Sequence, residues 1–294
     1  MDDLASFFDA DLLAAISCLK VAPGKAVGGG RVSDRTSRRT GAGTEFADHR
    51  EYIHGDDPRQ IDWRLYGRTG KFFTKLYHSE EDRCINIALD CSSSMAHPEK
   101  LGFAKKMAAS LVFLAGMDRD SAAVFPFDRA LRQPLRGLMG GNGFKRCLSW
   151  LEGIEARGVT DLGAASREVS ELAGNSGPVI LISDLMDTRI LSSGWPAVLA
   201  GGGREAAVIQ VYSREDREPP FRGYTRVVDV EGSGAMPVLV DTRLAKRYTE
   251  TFDRFCMAVG SRCKALGIPY AAVRTDRDFK SVMLEDLRKA GITA

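Results

Sequence analysis

Five oxygen-bearing side chains are spaced so that one site could gather them. Asp90 ends an apolar run, and Ser92 and Ser94 follow at i+2 and i+4 in the string LDCSSSM. Thr160 stands in ARGVTDLGAA, just ahead of a helical pattern, and Asp184 closes the run PVILISD. Two carboxylates with three hydroxyls make a hard, all-oxygen donor set. Without thiolate or imidazole to draw zinc, it suits octahedral Mg2+ or Mn2+. Hydroxyls are weak ligands, so the ion is left short of negative charge and open to an incoming carboxylate. That is a binding device rather than a catalytic one. The plainer alternative is a strand end whose serines compete to cap a helix.

Such a set works only if strands and loops bring it together. Apolar runs at 85–90, 122–128, 178–184, 206–212 and 269–275 read as buried strands. Between them, residues 99–117 place Leu101, Ala104, Met107, Leu111 and Leu114 on one helical face. Residues 242–266 do the same with Leu244, Tyr248, Phe252, Phe255, Val259, Cys263 and Leu266. Near-continuous apolar strands alternating with helices predict an α/β fold, a doubly wound and mostly parallel sheet with helices on both faces. Asp90 and Asp184 then fall at carboxyl ends of strands, where open sheets of this kind collect ligands.

Two departures from strict alternation are visible. DRALRQPLRG (128–137) follows a strand so closely that it should return as a short antiparallel edge. Residues 224–241 hold two alternating runs around Gly232-Ser233-Gly234, an inserted hairpin ahead of the long helix. Near the N-terminus, Leu4, Phe8, Leu12 and Ile16 recur every four positions, predicting an amphipathic helix over 2–18. A loop rich in Gly, Arg, Ser and Thr follows, with Gly28 to Gly30 as the best joint. The expected division is an extension over 1–80 and the sheet domain over 81–294.

The trio Asp90-x-Ser92-x-Ser94, with Thr160 and Asp184 at later positions in the expected order, resembles the metal-ion-dependent adhesion site of von Willebrand factor A domains. The resemblance covers roughly residues 81–294 and implies a von Willebrand A-like fold. It also implies Mg2+ held by Ser92 and Ser94, by Thr160 directly or through water, and by Asp90 and Asp184 directly or through bridging groups. A partner protein's carboxylate would complete the shell. Upstream, GTEFADHREYIHGDDPRQIDWRLYGRTGKFF (44–73) is similar to a bacterial family of unknown function. Its members carry such a domain and are associated with MoxR-type AAA+ ATPases. The resemblance implies an adaptor that works with such an ATPase in assembling or activating another complex. Many members begin with two membrane helices that this sequence lacks, which favours a soluble, cytoplasmic version.

Composition narrows the rest. The 294 residues are 44% hydrophobic and 27% charged, with a net charge of +2, so the molecule is no polycation. The stretch RVSDRTSRR (31–39) could grip phosphate, but no aromatic interleaves with its arginines, and no nucleic-acid partner is expected. Six scattered cysteines form no C-x-x-C pair and predict reduced, mostly structural thiols in a reducing compartment. GLMGGNGFKR (137–146) fails the phosphate-loop spacing and reads as a connection. A magnesium-dependent phosphatase of haloacid-dehalogenase type, with Asp90 as nucleophile, is the alternative enzyme reading. It needs a second acid two residues on, where this chain has Ser92. The chain is therefore read as no enzyme. In GDDPRQIDW, the residues Asp57, Arg59, Asp62 and Trp63 (beside Asp56) read either as a partner surface or as a buried salt-bridge and aromatic knot.

Overall fold

A computed structural model describes residues 4–23, 40–54, 56–78, 83–173, 177–187, 190–221, 223–228 and 235–294. The basic stretch at 31–39, the glycines at 28–30, the boundary expected at residue 80 and the hairpin tip at 232–234 lie outside those residues. The chain divides into two compact units, one over Gly28–Asp82 and one combining Met1–Val27 with Arg83–Ala294.

The expected N-terminal helix is two: α1 (Leu4–Phe7) and α2 (Ala10–Ile16). Asp9 breaks the run because its carboxylate caps α2, accepting the Leu12 N–H at 2.7 Å. The four-residue stripe is nevertheless buried: Leu4, Phe8, Leu12 and Ile16 all join the main core. Phe8 meets Phe144 edge-on and Phe7 meets Phe279. The N-terminal segment thus belongs to the larger unit, which differs from the expected grouping of 1–80. Its apolar face finds its partners there.

In the smaller unit, β1 (Thr40–Glu51) pairs antiparallel with β2 (Phe73–His78), with α3 (Trp63–Thr69) between them in sequence. The acids of GDDPRQIDW serve the turns. Asp57 caps a 3₁₀ turn over Pro58–Gln60, and Asp62 caps α3 by accepting from Arg64 and Leu65 N–H at 2.9 and 3.0 Å. The hydrogen bond from His49, then those backbone amides, hold the Asp62 carboxyl well below its usual range. The ion-pair partners of Asp56 and Asp62 are Arg50, His49 and Lys75, while Arg59 is exposed. The buried knot is not what forms. Trp63 is 62% exposed, and it clusters at the surface with Tyr66 and Phe72, whose rings stack at 4.5 Å.

The larger unit is built on a six-stranded sheet. Its strands are β3 (Cys84–Asp90), β4 (Ser121–Phe127), β5 (Leu135–Leu138), β6 (Val179–Ser183), β7 (Ala206–Tyr212) and, last in the chain, β10 (Tyr270–Arg274). Spatial order is β10-β7-β6-β3-β4-β5, all parallel except the short antiparallel edge β5. Strands β8 (Gly223–Val228) and β9 (Ala235–Val240) pair antiparallel, separate from that sheet. The fold is therefore the expected doubly wound α/β sheet with an inserted hairpin.

Side-chain alternation sends neighbouring strand residues to opposite faces. Ile85, Ile87 and Leu89 of β3 enter one core, with α4 (Pro98–Met117) and α5 (Gly140–Glu152). Ala88 enters the other, with α6 (Leu162–Ala173), α7 (Trp195–Leu199) and α9 (Thr242–Ala265). Helix α4 is buried on nearly every side, so its apolar residues are not confined to the single expected stripe. Of the expected α9 stripe, Leu244, Tyr248 and Leu266 (just past the helix end) are exposed, unlike Phe252, Val259 and Cys263. The glycine run expected as a connection instead opens α5. At Gly143 a Cβ would sit 2.7 Å from the Leu138 carbonyl carbon, so only glycine lets this helix press onto β5.

Candidate metal centre

Strands β3 and β6 lie side by side, Leu89 opposite Ile182. The chain runs from β3 to β4 on one side and later to β6 on the other, so strand order reverses here. Asp90 ends β3 with no exposed surface. Its Oδ1 accepts the Ser92 N–H at 2.9 Å, folding the chain over the carboxylate. Ser92 then precedes a 3₁₀ turn over Ser93–Ala96, which brings its hydroxyl within 3.0 Å of that of Ser94. The intervening residues anchor the turn. Cys91 donates its N–H to the Phe127 carbonyl at 2.8 Å, and burial, then Asp90, pushes its thiol up to about 12. Ser93 donates its N–H to the Gly158 carbonyl at 2.8 Å, fastening this turn to the loop that carries buried Thr160.

Arg132 braces that loop from the side. Its guanidinium donates to the carbonyls of Glu155, Cys91 and Arg157 at 2.7, 3.0 and 2.9 Å, and to Asp128 at 2.7 Å. One planar fork with five donors can satisfy such a set.

The second carboxylate comes from the end of β6. Ser183 donates its hydroxyl to Asp90 Oδ2 and accepts the Leu185 N–H at 2.9 Å. Asp184 Oδ1 accepts the Met186 N–H at 3.1 Å, and its carbonyl accepts from Gln210 Nε2 at 3.1 Å. Gln210 accepts in turn from the Tyr270 hydroxyl. Leu185 turns left-handed at φ 59, a costly conformation for a branched side chain and one that gathers at functional sites. Lys100, in the first turn of α4, donates to Asp184 Oδ2 at 2.8 Å. Its Nζ also lies 3.4 Å from Asp216, in α8 (Arg214–Arg217). Asp187, three residues on, accepts the Leu162 N–H at 3.5 Å at the start of α6.

Two buried acids at adjacent strand ends repel when both ionise. Burial, then the Asp184 charge, pushes the Asp90 carboxyl up to about 7. Burial alone would lower the Lys100 ammonium, but Asp184 and Asp216 outweigh it and raise it. Asp90, Ser92, Ser94 and Asp184 therefore converge at one switch point, with Thr160 on the loop pinned beside it. Sequence reasoning missed Ser183, Lys100, Gln210 and Asp216. One signal was available for Lys100: a cation in a helix's first turn opposes the helix dipole, so something else must hold it there.

The donor chemistry fits a hard divalent ion, because every candidate atom is a carboxylate or hydroxyl oxygen. Among the described residues no group of three or more His, Cys, Asp or Glu is arranged to hold a metal. The oxygens near the two acids include the Ser92 and Ser94 hydroxyls.

Residues 48–254, more than half the chain, match the model of a family described as a protein of unknown function, DUF58. The chain belongs to this family. Uncharacterized proteins of Mycobacterium bovis and Mycobacterium tuberculosis are 24% identical to this DUF58 chain over 278 residues, covering 92% of it and 87% of theirs. Among solved structures it is similar to the conserved hypothetical protein BatB of Bacteroides thetaiotaomicron, at 19% identity and TM-score 0.43. That match covers 71% of this chain and 98% of BatB. It is also similar to a von Willebrand factor type A protein of Catenulispora acidiphila, at 16% identity and TM-score 0.41, covering 75% and 43%. Among the described residues, no helix of the DUF58 chain is long and apolar enough to cross a membrane.

Proposed function

We propose that this protein is a metal-dependent protein-binding module. Mg2+ or Mn2+ would be held by Ser92, Ser94 and Thr160, with Asp90 and Asp184 ligating directly or through water. A bound ion would supply a Lewis-acidic position for a partner's carboxylate. The chain's own residues do the rest. Ser183 and the Ser92 amide orient Asp90, Gln210 and Met186 orient Asp184, and Arg132 fixes the loop before Thr160. The observation that carries this reading is the convergence of two fully buried carboxylates with paired serine hydroxyls at the strand switch point. Membership of DUF58 is in keeping with a partner among MoxR-type AAA+ ATPases, and the proposed role is that of an adaptor in assembling or activating another complex. The module would act in the cytoplasm.

The phosphatase alternative is less well supported. A phosphatase of that type needs a second acid two residues after the nucleophile for proton transfer, and this chain has Ser92 there, its hydroxyl 3.0 Å from that of Ser94.

The test is Mn2+ binding followed by electron paramagnetic resonance on wild type, Ser94→Ala and Asp184→Ala. Binding that both substitutions weaken supports the site. Manganese bound equally by all three would put the ion elsewhere and remove the reading.

A further inference from the structure

We infer that Lys100 is a tethered counter-cation of this site and sets how tightly a divalent ion binds there, an inference that rests on the metal-site reading above. The Lys100 side chain is only 5% exposed, a rare state for lysine, and it sits in a helical turn whose dipole disfavours it. Burying an ammonium is strongly unfavourable unless acids pair with it. Two do: Asp184 at 2.8 Å and Asp216 at 3.4 Å, from the end of β6 and from α8.

The Asp184 oxygen that takes the ammonium belongs to a carboxylate of the proposed ion site. Two cations on one buried carboxylate repel strongly, because little water is present to screen them. Ion binding therefore requires Lys100 to release Asp184 Oδ2 and rest on Asp216, which is already within reach. In the ion-free protein the same ammonium neutralises Asp184 and keeps the paired acids tolerable. Lys100 is thus an internal competitor that weakens the ion's hold. A partner carboxylate returns the missing negative charge, so ion and partner strengthen each other's binding by the same factor.

The experiment titrates Mn2+ into the full chain as wild type, Lys100→Gln, Lys100→Met and Asp184→Ala, with circular dichroism as the fold check. Glutamine keeps a donor for Asp184 and removes only the charge. Both lysine variants should bind manganese tighter, by about tenfold or more. A merely structural lysine would give weaker binding instead. Native-like variants that bind no tighter than wild type overturn the Lys100 role while leaving the metal site standing. No manganese on wild type or either lysine variant overturns the site reading, and this inference with it. Should both variants unfold, the 15N resonance of the wild-type Lys100 ammonium decides: saturating Mg2+ should shift it, and an unmoved signal overturns the role.

Discussion

Ser183 and Asp90 stand on neighbouring parallel strands, 93 residues apart in the chain, and the serine hydroxyl donates to Asp90 Oδ2 at 2.5 Å. Neither residue has exposed surface. Ser183→Ala leaves that oxygen buried without its donor, a loss expected to cost about 1–3 kcal/mol. Urea unfolding measures the cost, and a manganese titration should show weakened binding because Asp90 loses its orientation. An unchanged urea midpoint would mean that the bond contributes nothing.

Stability should depend on pH in a defined direction. Asp90 titrates near 3.8 when unfolded and is pushed up to about 7 by burial and Asp184 in the folded chain. Between those values the unfolded chain ionises while the folded chain keeps its proton. The metal-free protein should therefore lose stability as pH rises from about 4 to about 7, and level off above that. Asp90→Asn should flatten the fall, as read by urea midpoints across the window.

Arg132 serves three main-chain carbonyls and Asp128 with one guanidinium. Lysine keeps the charge but cannot span the set, so Arg132→Lys should destabilise by about 1–3 kcal/mol. Thermal unfolding tests this. Faster proteolysis at residues 153–160 should accompany it, because those carbonyls tie the loop down. Cleavage at the wild-type rate would argue against the brace.

Gly143→Ala places a Cβ 2.7 Å from the Leu138 carbonyl carbon. Backbone cannot yield as a flexible side chain does, so a cost of about 1–3 kcal/mol is expected from overpacking. A melting temperature equal to wild type would show that α5 can shift off β5 freely.

The parts of this fold that were legible are those governed by burial alone. The five strand runs were readable because a parallel sheet covered on both faces demands continuous apolar stretches, and β5 betrayed itself by following β4 too closely for a crossover. The break between α1 and α2 was hidden, since Asp9 looks like any polar residue on an amphipathic helix until it is seen capping. Gly140, Gly141 and Gly143 read as a loop because the close approach to β5 that demands glycine at 143 leaves no trace in one sequence. At the site, Asp90, Ser92 and Ser94 stood out by local spacing. Ser183 and Lys100 did not, because their roles depend on which strand or helix lies alongside. The acids of GDDPRQIDW left two readings open, because which basic groups answer them is set by the β1–β2 register.

Residues 20–22 exchange main-chain hydrogen bonds with residues 292–294: Lys20 with Ala294 at 3.1 and 2.9 Å, and Ala22 with Ile292 at 3.1 Å. On a ribosome the first partner emerges long before the second. Helix α1 finds a partner in α5, where Phe8 meets Phe144, whereas α2 also needs the later residues 279–281 that pack on it. The apolar residues Leu12 and Ile16 of α2 are thus completed late, and until then they offer a surface for a chaperone to hold.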